Sequence, residues 1–296
     1  MGEEMSKPLV IVDITAILFR KYFSGMSHIT PEGLEIGGVW GVCTTLRDII
    51  KSLKPKYLAC VFDAGQRTFR NDIYDQYKAN RGSPPEDLIP QFDLSYRLCV
   101  ALGIPSFRMP GYEADDLMAT LATISVSQDI PVQMVTIDKD LNQMIQDRPI
   151  SISRINFHKN QVFTSDSVIS SMGVLPDQCN DLMALIGDSV DNIPGVRGFG
   201  PKRSSELIRR FGSLAEIFEN LEALKKEKRW SRLAHILEQE KEKAELSKRL
   251  VILKRDIKLH PEVIDIKEQF KWGNLESYAF LKTLGLQRYH SVLKPL

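Results

Sequence analysis

Short apolar runs, each closed by an acid and separated from the next by helical periodicity, constrain this chain more than any other feature. Leu9-Val10-Ile11-Val12 runs into Asp13, Tyr57 to Phe62 into Asp63, and Pro131 to Ile137 into Asp138, with Asp140 two positions on. Helical patterns occupy 39–53, 89–102 and 115–126, and 150–155 offers a further strand. Buried strands joined by crossover helices predict an α/β fold with a mainly parallel central sheet flanked by helices. Ligands of such sheets bind beyond the carboxyl ends of the strands, so the closing acids are expected along one edge.

The second half reads differently. From Asp166 onward the strand signal fades. A helix over 165–172 ends at Gly173, Pro176 opens another that runs to about Ile186, and 203–211 and 214–229 have amphipathic patterning. The Lys- and Glu-rich stretch 222–249 reads as a solvated helical surface. The expected organisation is an α/β core over 8–180, a helical subdomain over 181–256 and a C-terminal helical extension over 257–296.

Composition narrows the chemistry. With 296 residues, 43% of them hydrophobic, the chain can build a sizeable core. A formal net charge of +1 excludes nothing, because an acidic site and a basic surface can cancel. Cys43, Cys60, Cys99 and Cys179 form no CxxC pair and the five histidines are scattered, which argues against a zinc site and a disulfide framework. No apolar run reaches membrane-spanning length. Met1-Gly2-Glu3-Glu4-Met5-Ser6 fits a myristoylation pattern, but two early acids and the lack of a basic patch favour a chance match. A cytoplasmic monomer without membrane attachment is expected.

Two more acidic groups join the strand ends. Glu113, Asp115 and Asp116 follow the turn at Pro110-Gly111 and open a helix, and Asp188 and Asp191 follow Gly187. For Asp115 alone, helix capping accounts for the acid as well as ligation does. Nine acids at such places need a further reason, since like charges repel unless cations bind or pKa values shift. Oxygen-only ligands suit Mg2+ or Mn2+, and a cluster this large has room for two ions, which in two-metal enzymes stand about 3.5–4 Å apart and serve in-line displacement at phosphorus.

Basic elements accompany the acids. In Gly195-Val196-Arg197-Gly198-Phe199-Gly200-Pro201-Lys202-Arg203 the glycines permit close approach of a phosphate to the backbone, and a helix N-terminus follows. A plain helix–turn–helix connection explains the same glycines. In Phe69 to Arg81, aromatic residues such as Tyr77 interleave with basic ones, as single-stranded nucleic acid requires. The alternative there is a solvated loop with core-facing tyrosines. Pro84-Pro85 stops any helix.

Taken together, these residues resemble the 5′ nuclease domain of bacterial DNA polymerase I and the wider flap endonuclease family. The matching stretches are Val12-Asp13, Phe62-Asp63-Ala64, Thr68-Phe69-Arg70, Tyr77-Lys78, Gly111 to Asp116, Asp138 to Leu141, Gly187-Asp188, Asp191 to Val196 and Gly198 to Lys202. The resemblance implies one ion held by Asp13, Asp63, Glu113 and Asp115, and a second by Asp138, Asp140 and Asp191, with Asp116 and Asp188 nearby. It implies a helical arch, at about 66–95, that carries Lys78 and Arg81 over the site. It further implies that Arg20 and Arg70 lie near the scissile strand. The Gly198–Lys202 turn then corresponds to a helix–three-turn–helix that grips duplex DNA and holds a K+ ion. Three departures stand out: Ile14 where bacterial relatives carry glycine, Arg203-Ser204 in place of Thr-Ala, and no polymerase domain or sliding-clamp motif before Leu296.

The function expected is hydrolysis of DNA phosphodiesters at 5′ flaps or ends, in replication or repair and beside a DNA polymerase, in the nucleoid if the source is bacterial. Two rivals remain. A binding-only relative has no need of nine acids. A Mg2+ phosphohydrolase of small substrates needs neither arch nor duplex clamp.

Overall fold

The computed structural model describes residues 7–65, 67–273 and 277–294; the acylation-like hexapeptide at the N-terminus lies outside them. Its centre is a six-stranded sheet in the order β3-β2-β1-β4-β5-β6, with β1 at Leu9–Asp13, β2 at Tyr57–Phe62, β3 at Ser106–Arg108, β4 at Val132–Val135, β5 at Ile152–Asn156 and β6 at Gln161–Phe163. The first five pair in parallel, and β6 returns antiparallel on the edge. β1 and β2 are buried along their whole length, which is why they read as unbroken apolar runs rather than alternating ones.

From β1 the chain builds outward through β2 to β3, then crosses back to begin β4 on the other side. The gap between the ends of β1 and β4 is therefore a topological switch point, where such sheets open a crevice. Helices α1 (Ile14–Phe23), α2 (Gly37–Leu53) and α4 (Ile89–Ala101) cover one face. α5 (Ala114–Ser127) covers the other. The short α3 (Phe69–Ile73) lies between β2 and α4.

The arch region departs from the helical form that the resemblance implies. After α3 the chain runs through turns and irregular backbone from Tyr74 to Leu88. Lys78 holds a left-handed φ of 56°, which ends any right-handed helix there, and Pro84-Pro85 blocks a restart. Tyr77 points inward at 4% exposure, packing with Met183, Ile193, Leu250 and Val251.

The second half is helical: α6 (Ser165–Met172), α7 (Cys179–Ile186), α8 (Pro201–Phe211), α9 (Leu214–Glu219), α10 (Leu221–Lys226), α11 (Ser231–Gln239) and α12 (Lys241–Val251). Where the periodicity predicts one helix over 214–229, the chain breaks at Asn220. α6, through Val168, and Val174 just beyond it share a core with this helical part. The last segment, with α13 (Ile266–Gln269) and α14 (Ser277–Thr283), folds back onto the sheet layers: Ile257, Leu259, Ile266 and Phe270 pack on the α5 side, and Trp272, Leu281, Leu286 and Leu293 on the α2 side.

Candidate metal centre and nucleic-acid interface

Several of the acids are placed by a local structural task. Asp13 ends β1 and caps α1: its Oδ1 accepts from Ala16 N at 2.9 Å, and its Oδ2 accepts the Thr136 hydroxyl at 3.0 Å. Asp63 follows β2, and its Oδ1 accepts from Ala114 N, the first amide of α5, at 2.8 Å. Asp138 caps the short 3-10 helix Lys139–Met144, accepting from Asp140 N at 2.8 Å. Glu113 is the N-cap residue of α5, and Asp115 stands in its first turn. The capping explanation and the clustering explanation thus hold together, because several helix N-termini meet at the same sheet edge.

Glu113, Asp115, Asp138, Asp140 and Asp191 line one small cleft together with Lys78. Asp13 and Asp63 border it from the strand ends; Asp115 feels the negative charge of Asp138, Asp13, Asp140 and Asp63. Burial, then Asp63 and Asp138, push Asp13 up to about 7 against the hydrogen bonds from Ala16 and Thr136. Burial and Asp138 push Asp140 up to about 8. Burial raises Asp63, and burial with its acidic neighbours raises Asp115 well above the usual carboxylate range. Asp188 goes the other way: burial works against it, but a hydrogen bond from Lys139 Nζ at 3.0 Å and the amide of Val190 lower it.

Among the described residues no three His, Cys, Asp or Glu side chains already form a ligand cage. Two cations of the arch pair with acids of the cleft. Lys78 Nζ lies 2.6 Å from Glu113 Oε1 and 3.7 Å from Asp191 Oδ2, and the Arg81 guanidinium pairs with Asp191 Oδ1. Asp140 Oδ1 is buried without any hydrogen-bond partner. A buried carboxylate oxygen left unpaired, beside acids that repel it, is costly unless a cation completes it. The donors are all oxygen, which fits Mg2+ or Mn2+.

Three residues expected at the metal or the DNA are held in buried contacts instead. Arg70, at 2% exposure, meets Asp116, at 0%, through Nη1–Oδ2 at 2.7 Å and Nη2–Oδ1 at 2.8 Å. Arg70 also donates to the Leu250 carbonyl at 2.8 Å, and Asp116 accepts from Lys254 N at 2.9 Å. Asp116 is therefore a structural counter-ion rather than a ligand, while Arg70 also lines the cleft and donates from Nη1 to Glu113 Oε2 at 3.2 Å. Tyr77 is buried too, its hydroxyl donating to Glu113 Oε2 at 3.1 Å rather than facing solvent to stack a base. Arg20 is exposed near the end of α1.

The glycine turn divides its labour. Gly198 has φ 87°, a conformation that favours glycine, and its carbonyl accepts from Arg203 Nη1 at 2.9 Å. Gly200 has ordinary backbone angles, with open space where a side chain would stand, and precedes α8 as its N-cap residue. Lys202 is exposed and borders a surface depression with Arg203, Arg229 and Trp230.

Residues that the sequence reading passed over support the acids. Thr136 donates to Asp13 and accepts from Asp138 N at 3.1 Å, so one hydroxyl links two strand-end acids. Thr15 Oγ1 accepts from Asp63 N at 2.9 Å. Arg154 is buried behind Asp138, bonded to Asn142 Oδ1 at 2.7 Å and lying over the Phe163 ring. The signal for Thr136 is a hydroxyl residue two positions before Asp138; a lone arginine inside β5 carries no such signal.

Comparison with known proteins agrees with this architecture. Residues 8–173 match the profile described as 5′-3′ exonuclease, N-terminal resolvase-like domain, and residues 174–271 match 5′-3′ exonuclease, C-terminal SAM fold. A 5′-3′ exonuclease of Bacillus subtilis is 37% identical over 223 residues, 74% of this chain and 75% of the relative. One from Aquifex aeolicus is 34% identical, covering 88% of this chain and 86% of the relative. DNA polymerase I of Bacillus caldotenax is 32% identical over 96% of this chain, which spans only 32% of that longer protein. Among solved structures, T5 5′-exonuclease with bound divalent zinc ions superposes with a TM-score of 0.71 at 22% identity, covering 97% of this chain and 98% of that one. The catalytic core of Rad2 in complex with DNA substrate gives 0.61 at 20% identity, covering 98% and 92%. At such identities these two likenesses carry the fold alone; the profile matches and the closer relatives carry the family. The chain belongs to the 5′-3′ exonuclease family.

Proposed function

We propose that this nuclease hydrolyses a DNA phosphodiester at the foot of a 5′ single-stranded branch or end, using two divalent ions, Mg2+ or Mn2+. The observation that carries the reading is the cleft in which Glu113, Asp115, Asp138, Asp140 and Asp191 meet under Lys78. Asp13, Asp63, Glu113 and Asp115 would hold one ion and Asp138, Asp140 and Asp191 the other, with Asp188 beside them. Such ions activate water and neutralise charge on the leaving oxygen.

The chain's own groups do the rest. Lys78 and Arg81 are catalytic residues in this reading: they approach the cleft from the arch and meet the charge that develops on the scissile phosphate. Burial favours a neutral Lys78 amine, but Glu113 and Asp191 outweigh it and raise its pKa, so it arrives charged. Gly198, Gly200 and Lys202 with the α8 N-terminus form the grip on duplex backbone, and a K+ ion at that turn belongs to the same proposal. Arg20 serves as an outlying phosphate contact. The likeness to DNA polymerase I relatives along 96% of this chain supports a role beside a DNA polymerase in replication or repair, in the cytoplasm and at the nucleoid of a bacterial source.

The test is a cleavage map on labelled 5′-flap DNA, run with Mg2+, with Mn2+ and with excess EDTA, beside a small phosphomonoester. Cutting near the junction only with metal is expected, with no turnover of the monoester. Asp13→Asn and Asp63→Asn, each removing a ligand charge, should lower cleavage by on the order of 10²-fold or more. Full activity in EDTA, or in either variant, would sink the metal assignment.

A further inference from the structure

The arch segment that carries Lys78 has no helix of its own to hold it. It is held by hydrogen bonds to the turn on the far side of the cleft. Lys78 N donates to the Asp191 carbonyl at 3.0 Å, Asn80 Nδ2 to the Ser189 carbonyl at 2.8 Å, and Asn192 Nδ2 to the Gln76 carbonyl at 2.7 Å. Asn71 Nδ2 ties the same segment from behind, donating to the Tyr77 carbonyl at 3.0 Å.

The far side is a firm anchor. Asp188 and Ile193 exchange backbone hydrogen bonds at 2.9 and 2.7 Å. Beneath them Gly187 and Gly195 cross so closely that a Cβ on Gly187 would stand 2.7 Å from Gly195 N. Asn192 sits on this anchor in the left-handed region, φ 57°, which asparagine tolerates better than most residues. In that conformation its amide reaches the Gln76 carbonyl of the arch.

We infer that Asn192, seconded by Asn80, is a positioning residue that clasps Gln76–Asn80 to the 188–193 turn and so fixes the Lys78 amine over the carboxylate cleft. It rests on the catalytic reading of Lys78 given above. Asn192 bonds a carbonyl of the arch, and no hydrogen bond joins it to any of the cleft acids among the described residues. Its effect passes through the backbone of residues 76–80. A lysine amine on a flexible four-carbon stem reaches one phosphate reproducibly only if its Cα is held. The same turn supplies Asp191, so the clasp sets the distance between a cleft acid and the arch cation.

The test uses Asn192→Gly, which keeps the left-handed backbone and removes the amide, with Asn80→Ala as a second variant, and Lys78→Ala alone and combined with Asn192→Gly. Three quantities are read: the saturating single-turnover rate on 5′-flap DNA with Mg2+, the dissociation constant in Ca2+, and the rate of tryptic cleavage after Lys78 and Arg81 in metal-free protein. Asn192→Gly should lower the single-turnover rate by on the order of ten- to a hundredfold, as small misplacements of a reacting group do. Affinity should hold, tryptic cleavage should quicken at an unchanged melting temperature, and Asn80→Ala should move all three the same way by less. In the Lys78→Ala background, Asn192→Gly should cost nothing more, because the group it positions is gone. A wild-type rate in Asn192→Gly, or an undiminished loss on top of Lys78→Ala, overturns the inference and leaves the reading of Lys78 intact. A full rate in Lys78→Ala itself fells that reading, and the positioning role with it.

Discussion

Arg70 and Asp116, 46 positions apart in the chain, form a two-pronged ion pair with no measurable exposure of the acid. The pair joins α3, at the foot of the arch, to the first turn of α5, and through the Leu250 carbonyl to the end of α12. Its position under the cleft makes it a strut for the site.

Removing one partner of such a pair strands the other charge in the interior. Arg70→Ala is expected to destabilise the protein by about 3–5 kcal/mol, read as a shifted urea midpoint. Under conditions where the variant remains folded, its affinity for flap DNA in Ca2+ should stay near that of the wild type. A stable variant that binds flap DNA poorly would return Arg70 to the role of a strand contact.

Metal-free stability should depend on pH with an unusual sign. Asp13 and Asp140 have folded pKa values of about 7 and about 8, above the ordinary carboxylate value of 3.8. Between pH 4 and pH 8, roughly, the folded state keeps protons that the unfolded chain has released, so stability falls as pH rises through that window. In EDTA the melting temperature should therefore drop between pH 5.5 and pH 8, by at least about 3 °C. Mg2+ should restore more stability at pH 8 than at pH 5.5, since ligands must be deprotonated to bind. An Asp140→Asn variant should flatten the EDTA profile. A flat wild-type profile, with Mg2+ stabilising equally at both values, would contradict a crowded acid cluster.

Much of this was open to reading in the sequence. β1, β2 and β4 announce themselves because buried parallel strands are continuous apolar runs, and the acids after them converge because strand ends in such a sheet share an edge. β3 and β6, three residues each, are too short to show any periodicity. The fate of Arg70 was not legible, since a basic residue among aromatics looks the same whether it faces DNA or a buried acid far along the chain. Asp116 was hidden for a related reason: it shares one helical turn with Asp115, and only the facing of α5 separates a cleft acid from a structural one. The arch differs again. Its non-helical course follows from a left-handed Lys78 that no propensity marks, held by amides of Asn80 and Asn192 whose partners lie more than a hundred residues away.

Lys202 is exposed at the first turn of α8, next to the open side of Gly200. Lys202→Ala should weaken binding of duplex-containing substrates whatever their sequence, and reduce the slope of log affinity against log salt by about one phosphate contact. Fluorescence anisotropy at several salt concentrations gives both quantities. Unchanged affinity and slope would reduce the turn to a connection between helices.

Lys78 is the residue on which chemistry and binding separate most cleanly. Its amine stands 2.6 Å from Glu113 and 3.7 Å from Asp191, and so in the metal-free protein it offsets charge that the cleft cannot otherwise disperse. Two consequences follow from removing it. Acid–acid repulsion in the cleft rises, so Lys78→Ala should melt at a lower temperature than the wild type in EDTA, with the gap narrowing in Mg2+. In the loaded enzyme the effect should fall on the rate, because the amine meets negative charge that is greatest in the transition state. The single-turnover rate at saturating enzyme should drop by on the order of 10²-fold or more, comparable to losing one oxyanion donor. The dissociation constant for flap DNA, measured in Ca2+, should move far less, since many other phosphate contacts remain. A loss confined to affinity, with the saturated rate intact, would make Lys78 an ordinary backbone contact and leave Arg81 as the cation that serves the reacting phosphate.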